Sequence, residues 1–160
     1  GRLELWCSPD DSHPFLRAAA ARHDAGLQVQ QGEDLGARMA HAFAQSLRRW
    51  RQVIITGTDC PALGVAELKA AADALQDGQD AVFVPAEDGG YALAGLSREA
   101  PQLFAGIAWG GAAVMADTRR HLRDSGLRWR ELATLWDVDR PDDYQRLLQT
   151  GLFDALPDPD

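Results

Sequence analysis

Val53-Ile54-Ile55-Thr56-Gly57-Thr58-Asp59-Cys60-Pro61 is the stretch on which the reading of this chain turns. Three β-branched apolar residues follow one another without polar alternation, the pattern of a strand buried on both faces of a parallel sheet. The run ends in Gly57, then a lone carboxylate, then a proline that cannot continue a ladder. In open α/β sheets, ligands bind beyond the carboxyl ends of the strands. Asp59 therefore stands where a substrate or a metal would sit, or else it caps the turn or the helix that follows.

On either side of this stretch, strands alternate with helices. Leu3 to Cys7 reads as a strand, and Phe15 to His23 as an alanine-rich helix with Pro14 in its first turn. Leu27 to Gln30 alternates like a short half-buried strand. Asp34 is a good N-cap for an amphipathic helix through Leu35, Met39, Phe43, Leu47 and Trp50. Gly36 in its first turn costs up to about 1 kcal/mol relative to alanine, so a backbone or a ligand is expected close by. Arg38, one turn in, faces either solvent or a phosphate. Val65 to Leu75 gives another amphipathic helix, and Ala81 to Pro85 another buried strand. Glu87-Asp88-Gly89-Gly90 is a bend into a further strand from Tyr91, either a plain hairpin turn, which the pattern favours, or a place where the backbone comes close to a ligand. A loop through Trp109, a helix from Ala112 to Arg123 and an extended segment from Arg128 to Trp136 follow. Pro141 then opens a last helix. The succession predicts one α/β domain over residues 1–155, an open, doubly wound, mostly parallel sheet with helices on both faces. Residues 156–160, acidic and proline-rich, are expected to be disordered.

Composition narrows the chemistry. A net charge of -8 argues against a nucleic-acid partner, since phosphate neutralisation needs clustered Lys and Arg. A nucleotide stays open, because a metal and backbone amides can meet its phosphates. The single lysine, Lys69, sits mid-helix, so a P-loop is excluded. No glycine fingerprint follows the first strand, which argues against a nicotinamide enzyme. Cys7 and Cys60 show no metal spacing and read as buried thiols of a reducing, cytoplasmic protein. No apolar run is long enough to span a membrane.

Acidic residues punctuate the strand ends: Asp34, Asp59, Glu87-Asp88, and Asp137 with Asp139. The last two alternate on an extended segment and so share a face. A hard divalent cation takes oxygen ligands from one or two carboxylates plus substrate phosphates. Asp59 together with Asp139 or Asp137 would meet that need. No serine or cysteine nucleophile sits beside a convincing base, and the four histidines lack ligand spacing.

Five segments occur in order: Gln31-Gly32-Glu33-Asp34-Leu35-Gly36-Ala37-Arg38-Met39, Gly57-Thr58-Asp59-Cys60-Pro61, Glu87-Asp88-Gly89-Gly90-Tyr91, Ile107-Ala108-Trp109-Gly110 and Asp137-Val138-Asp139-Arg140-Pro141-Asp142-Asp143. Together they resemble a bacterial family of glycosyltransferase-A-like (GT-A-like) proteins, also called radical-SAM- and selenodomain-associated transferases. That family belongs to the nucleotide-diphospho-sugar transferase superfamily. At longer range the chain is similar to molybdenum-cofactor guanylyltransferase, phospholactate guanylyltransferase and the CMP-sugar synthetases.

The resemblance implies Mg2+ or Mn2+ on Asp59, Asp139 and Asp137, with Asp59 and Asp88 as catalytic residues. It places Gly36, Arg38, Gly57 and Thr58 near a nucleotide, and Glu87, Asp88, Gly89, Gly90 and Trp109 on the acceptor side. The chain departs from the family in two ways. It shows no first strand with its nucleotide-cradling loop, so it reads as N-terminally incomplete, and Gly110-Gly111 stands where relatives carry a hydroxyl residue. Two functions are therefore expected as alternatives. One is a metal-dependent glycosyl- or nucleotidyltransferase acting on a nucleotide or nucleotide sugar and a small-molecule acceptor. The other is a non-catalytic α/β module that binds a protein partner, with apolar surface, covered by a second copy in a homodimer, where the first strand would lie.

Overall fold

The computed structural model describes residues 1–152; the expected disorder of residues 156–160 falls outside the described residues. The elements run β1 (Glu4–Cys7), α1 (Pro14–Arg22), β2 (Gly26–Val29), α2 (Leu35–Leu47), β3 (Val53–Thr56), α3 (Val65–Gln76), β4 (Ala81–Pro85), β5 (Tyr91–Leu96), α4 (Val114–Ser125), β6 (Trp129–Glu131) and α5 (Pro141–Gln149). Local chemistry sets most helix ends. Asp34 Oδ1 accepts from the Ala37 amide at 2.7 Å and starts α2. Glu67 Oε2 accepts from the Gly64 amide at 2.9 Å ahead of α3. Gly126, at φ +65°, closes α4 in the left-handed conformation. Pro141 stands at the start of α5, and Asp143 Oδ2 accepts from the Arg140 amide at 2.9 Å.

The main sheet has the order β3-β5-β4-β6. Strands β3, β4 and β6 run in one direction, and β5 runs against them between β3 and β4. The α/β class holds, and three of the four strands point the same way, but both pairings made by β5 are antiparallel. The β4–β5 connection is therefore a hairpin, as the Asp88-Gly89 pattern predicts. The one strand whose every residue is buried is β4. Its Phe83 joins Phe43, Leu96, Leu103 and Phe104 in the core, where the rings of Phe43 and Phe104 stack at 5.5 Å.

The opening stretch is corrected on one point. β3 forms over Val53–Thr56, yet it lies at the edge of this sheet and its apolar residues are only half-buried. An unpatterned apolar run signals two buried faces; it carries no information about whether both edges are paired.

β1 and β2 pair in parallel as a separate two-stranded sheet that shares no ladder with β3. A cleft of about 600 Å³ separates β1 from β3, lined by residues 1–8 and 52–56 along both strand edges. The Gly57 amide donates to Ala92, so Ile54 and Thr56 turn their backbone groups away from β5 toward this cleft. On its β1 side, Trp6 O accepts from Gln30 Nε2 at 2.9 Å, a bond between β1 and the residue just after β2.

Candidate active site

The common direction of β3, β4 and β6 places three loops at one end of the sheet. Gly57 to Pro61 follows β3, and the hairpin turn follows β4. The chain after β6 continues alongside β4: Leu135 bonds Pro85 and Glu87 through their main chains at 2.9 Å each, forming a parallel bridge at Ala86. It then crosses to the β3 loop, where the Val138 amide donates to Asp59 O at 2.9 Å and Cys60 Sγ donates to Trp136 O at 3.2 Å. These are the carboxyl ends of the parallel strands, where ligands bind in such sheets.

A cleft of about 520 Å³ opens there. Its walls include Thr56, Gly57, Thr58, Asp59, Asp88, Gly90, Trp109, Asp137 and Asp139, together with Trp6, Leu35, Arg38, Met39 and Tyr91. Its carboxylates gather around Asp137, and aromatic and apolar side chains make up much of the remaining lining. Among the described residues lining it, Arg38 is the one cation, and its Nε donates to Gly32 O at 3.2 Å. Tyr91 packs edge-on against Phe83 at 5.1 Å and Trp109 at 6.3 Å. Burial pushes the Tyr91 phenol far up, so its hydroxyl stays protonated.

One carboxylate oxygen from each of Asp88, Asp137 and Asp139 lies within 4.8 Å of the others. Burial first, and next the Asp88 carboxylate, raise the Asp137 pKa above its ordinary value, with Asp139 and Asp59 adding to it. Three hard oxygen donors that repel one another in this way are a donor set a divalent cation fits. The set expected from sequence is Asp59 with Asp137 and Asp139. The structure brings Asp88 into that group instead, while Asp59 stays on the cleft wall outside it. The Asp59 Oδ1 lies 2.6 Å from where a side chain on Gly57 would begin, so the carboxylate folds back over its own loop.

Three other expected residues have different positions. Gly36 does not line the cleft: a Cβ there would overlap the Phe104 carbonyl and come within 2.5 Å of Trp109 Nε1. The close approach expected at Gly36 is real, but it comes from the core. Gly89 is packed against Ala112, and Glu87 points away to form an ion pair with Arg146. Sequence reasoning missed Trp6, Met39 and Tyr91 as cleft residues. Apolar residues facing a cleft carry the same helix and strand periodicity as core residues, so nothing in the pattern marks them.

The raised pKa of Asp137 carries a sign. A carboxyl whose folded pKa lies above its unfolded value favours the fold when protonated, and that advantage is lost as pH rises through the folded pKa. Without cation, Asp137→Asn is therefore expected to raise the melting temperature at pH 7 by about 1–2 °C, discounted for partial exposure. The gain should vanish as pH falls toward the ordinary aspartate range. Thermal melts across pH check it; a lower melting temperature at pH 7 would rule out burial and carboxylate repulsion as the cause.

Comparison with known proteins places this geometry. The chain superposes on a Desulfovibrio desulfuricans G20 protein, whose assignment as a nucleotide-diphospho-sugar transferase is itself provisional, with a TM-score of 0.84 and 31% identity. The match covers 97% of this chain and 68% of that one. The fold is shared with CMP:2-keto-3-deoxy-manno-octonic acid synthetase solved with CTP, at TM-score 0.63 and 10% identity over 96% and 82% of the two chains. It is also shared with Rv0371c of Mycobacterium tuberculosis H37Rv, at TM-score 0.60 and 24% identity over 92% and 76%. No curated protein matches the chain in sequence. A family model described as uncharacterized protein conserved in bacteria, DUF2064, matches residues 1–111, which include four of the five segments and stop short of Asp137 and Asp139. The chain belongs to the DUF2064 family and has the fold of the nucleotide-diphospho-sugar transferases.

Proposed function

We propose that the cleft binds a nucleotide or nucleotide sugar through Mg2+ or Mn2+ and transfers its glycosyl or nucleotidyl group to a small-molecule acceptor. The observation that carries this is the convergence of Asp88, Asp137 and Asp139 in the wall of a cleft on the carboxyl edge of the sheet. The three would hold the cation, which would supply positive charge to offset a nucleotide's phosphates and a leaving group. Arg38 offers a second positive contact for the phosphates. Gly57 and Thr58 bring backbone close to the ligand, and Trp6, Tyr91 and Trp109 supply faces on which a ring can stack. Asp59, outside the cluster, would take a proton from an acceptor hydroxyl. The two free cysteines, both buried, fit the cytoplasmic location read from sequence, and no helix among the described residues is long and apolar enough to cross a membrane.

A thermal-shift screen of nucleotides and nucleotide sugars, with and without Mn2+, tests the reading. At a hundredfold excess over Kd, binding adds about 2.7 kcal/mol, or a rise of roughly 5–10 °C for a chain of this size. The rise should need both metal and nucleotide. No rise for any combination would refute the proposal.

A second reading, a non-catalytic module of the same fold that binds a protein partner or a second copy of itself, is favoured by the cleft between β1 and β3. Its open strand edges suit an added strand. Light scattering separates the two: a strictly monomeric chain with a loaded metal site counts against the module.

A further inference from the structure

Arg146, on α5, makes a contact that the proposed transfer does not use. Its guanidinium carbon lies 4.5 Å from the centroid of the Trp136 ring, and its nitrogens donate to Glu87 Oε2 at 2.9 Å and Oε1 at 3.4 Å. Glu87 immediately precedes Asp88, and Trp136 immediately precedes Asp137. One side chain thus clamps the hairpin turn to the segment after β6, one residue away from a cluster carboxylate on each side. General helix packing does not account for it: α5 buries none of its residues, and its Tyr144 and Leu148 are exposed.

We infer that Arg146 is a positioning residue for the cation site. It holds the two carboxylate-bearing segments together against the mutual repulsion of Asp88, Asp137 and Asp139. The inference rests on the reading that this cluster binds a divalent cation. Arginine suits the task because its planar fork meets a carboxylate with two donors while its face stacks on an indole. The sign of its effect separates this role from simple electrostatics. Arg146 is a positive charge near a cation site, so by charge alone its removal strengthens cation binding. As a clamp, its removal weakens binding, because the ligands no longer converge.

The experiment titrates Mn2+ into the full chain and its Arg146→Ala and Arg146→Lys variants, by calorimetry or by the spin resonance of free Mn2+. In parallel, amide hydrogen exchange is measured at Val138, which bonds Asp59 O at 2.9 Å, and at Gly90, which bonds Asp88 Oδ1 at 2.7 Å. Arg146→Ala is expected to weaken Mn2+ binding about 3- to 10-fold, below the roughly 10- to 100-fold typical of groups that orient ligands, since the ion pair is half-exposed. Arg146→Lys should recover part of that loss, keeping the charge but not the fork. Exchange at Val138 should quicken in Arg146→Ala even without metal. Unchanged or tighter Mn2+ binding in Arg146→Ala overturns the inference. If the unmodified chain binds no Mn2+, the cation reading falls instead. Metal-free exchange then decides Arg146 alone: faster exchange keeps it as the clamp, and unchanged exchange removes it.

Discussion

Asp88→Asn is expected to lower Mn2+ affinity at least about 50-fold, while Asp59→Asn leaves it within about threefold. The asymmetry follows from where the two carboxylates point. An oxygen of Asp88 lies within 4.8 Å of oxygens of Asp137 and Asp139, and Asp59 contributes none to that group. Asparagine is the informative substitute, because Asp88 Oδ1 also accepts from the Gly90 amide at 2.7 Å. An amide oxygen keeps that turn bond and removes the charge, so lost binding is not a collapsed loop. Asp59→Asn should instead slow transfer with metal binding intact, as expected of a proton acceptor outside the cluster. Calorimetric titration with Mn2+ on both variants decides it. Tight binding by Asp88→Asn together with loss in Asp59→Asn would return the metal to the residue expected from sequence.

Gly89→Ala is expected to destabilise the fold by about 2–4 kcal/mol, a fall in melting temperature of roughly 5–15 °C. Gly89 sits at φ +95°, and a methyl group there would run into the carbonyl of Ala112. Its own carbonyl accepts from the Met115 amide at 2.8 Å, so the start of α4 is docked on the hairpin turn. Relief requires α4 and the turn to part, which also displaces Asp88. Stability and cation binding should therefore fall together. Gly110→Ala is the control: at φ +80° it carries similar backbone strain but meets open space, and about 1 kcal/mol is expected. Urea unfolding of the two variants, compared at their midpoints, checks both. Equal losses would show that backbone strain, and not the contact with Ala112, sets the cost.

Several features are legible because they depend on neighbours in sequence. Asp34 and Pro141 mark helix starts through their own backbone chemistry, and the β4–β5 hairpin follows from Asp88-Gly89 before a strand. Gly36 signals a close approach, but not from which side. Periodicity cannot tell a core wall from a cleft wall, so Tyr91 and Trp109 are equally compatible with either.

The sequence by itself determined the order of strands and helices, the acidic punctuation at strand ends and the family. Each of these rests on local propensity or on motifs in a line. Which carboxylates meet was decided by tertiary structure alone. Asp88 joins Asp137 and Asp139 because β5 turns back beside β4, setting the hairpin turn at the carboxyl end of the sheet. The segment after β6 then extends alongside β4 and crosses over that end. Asp59 misses the cluster by folding over Gly57. Such placements depend on strand pairing between residues some 50 positions apart in the chain, and no local rule carries that register.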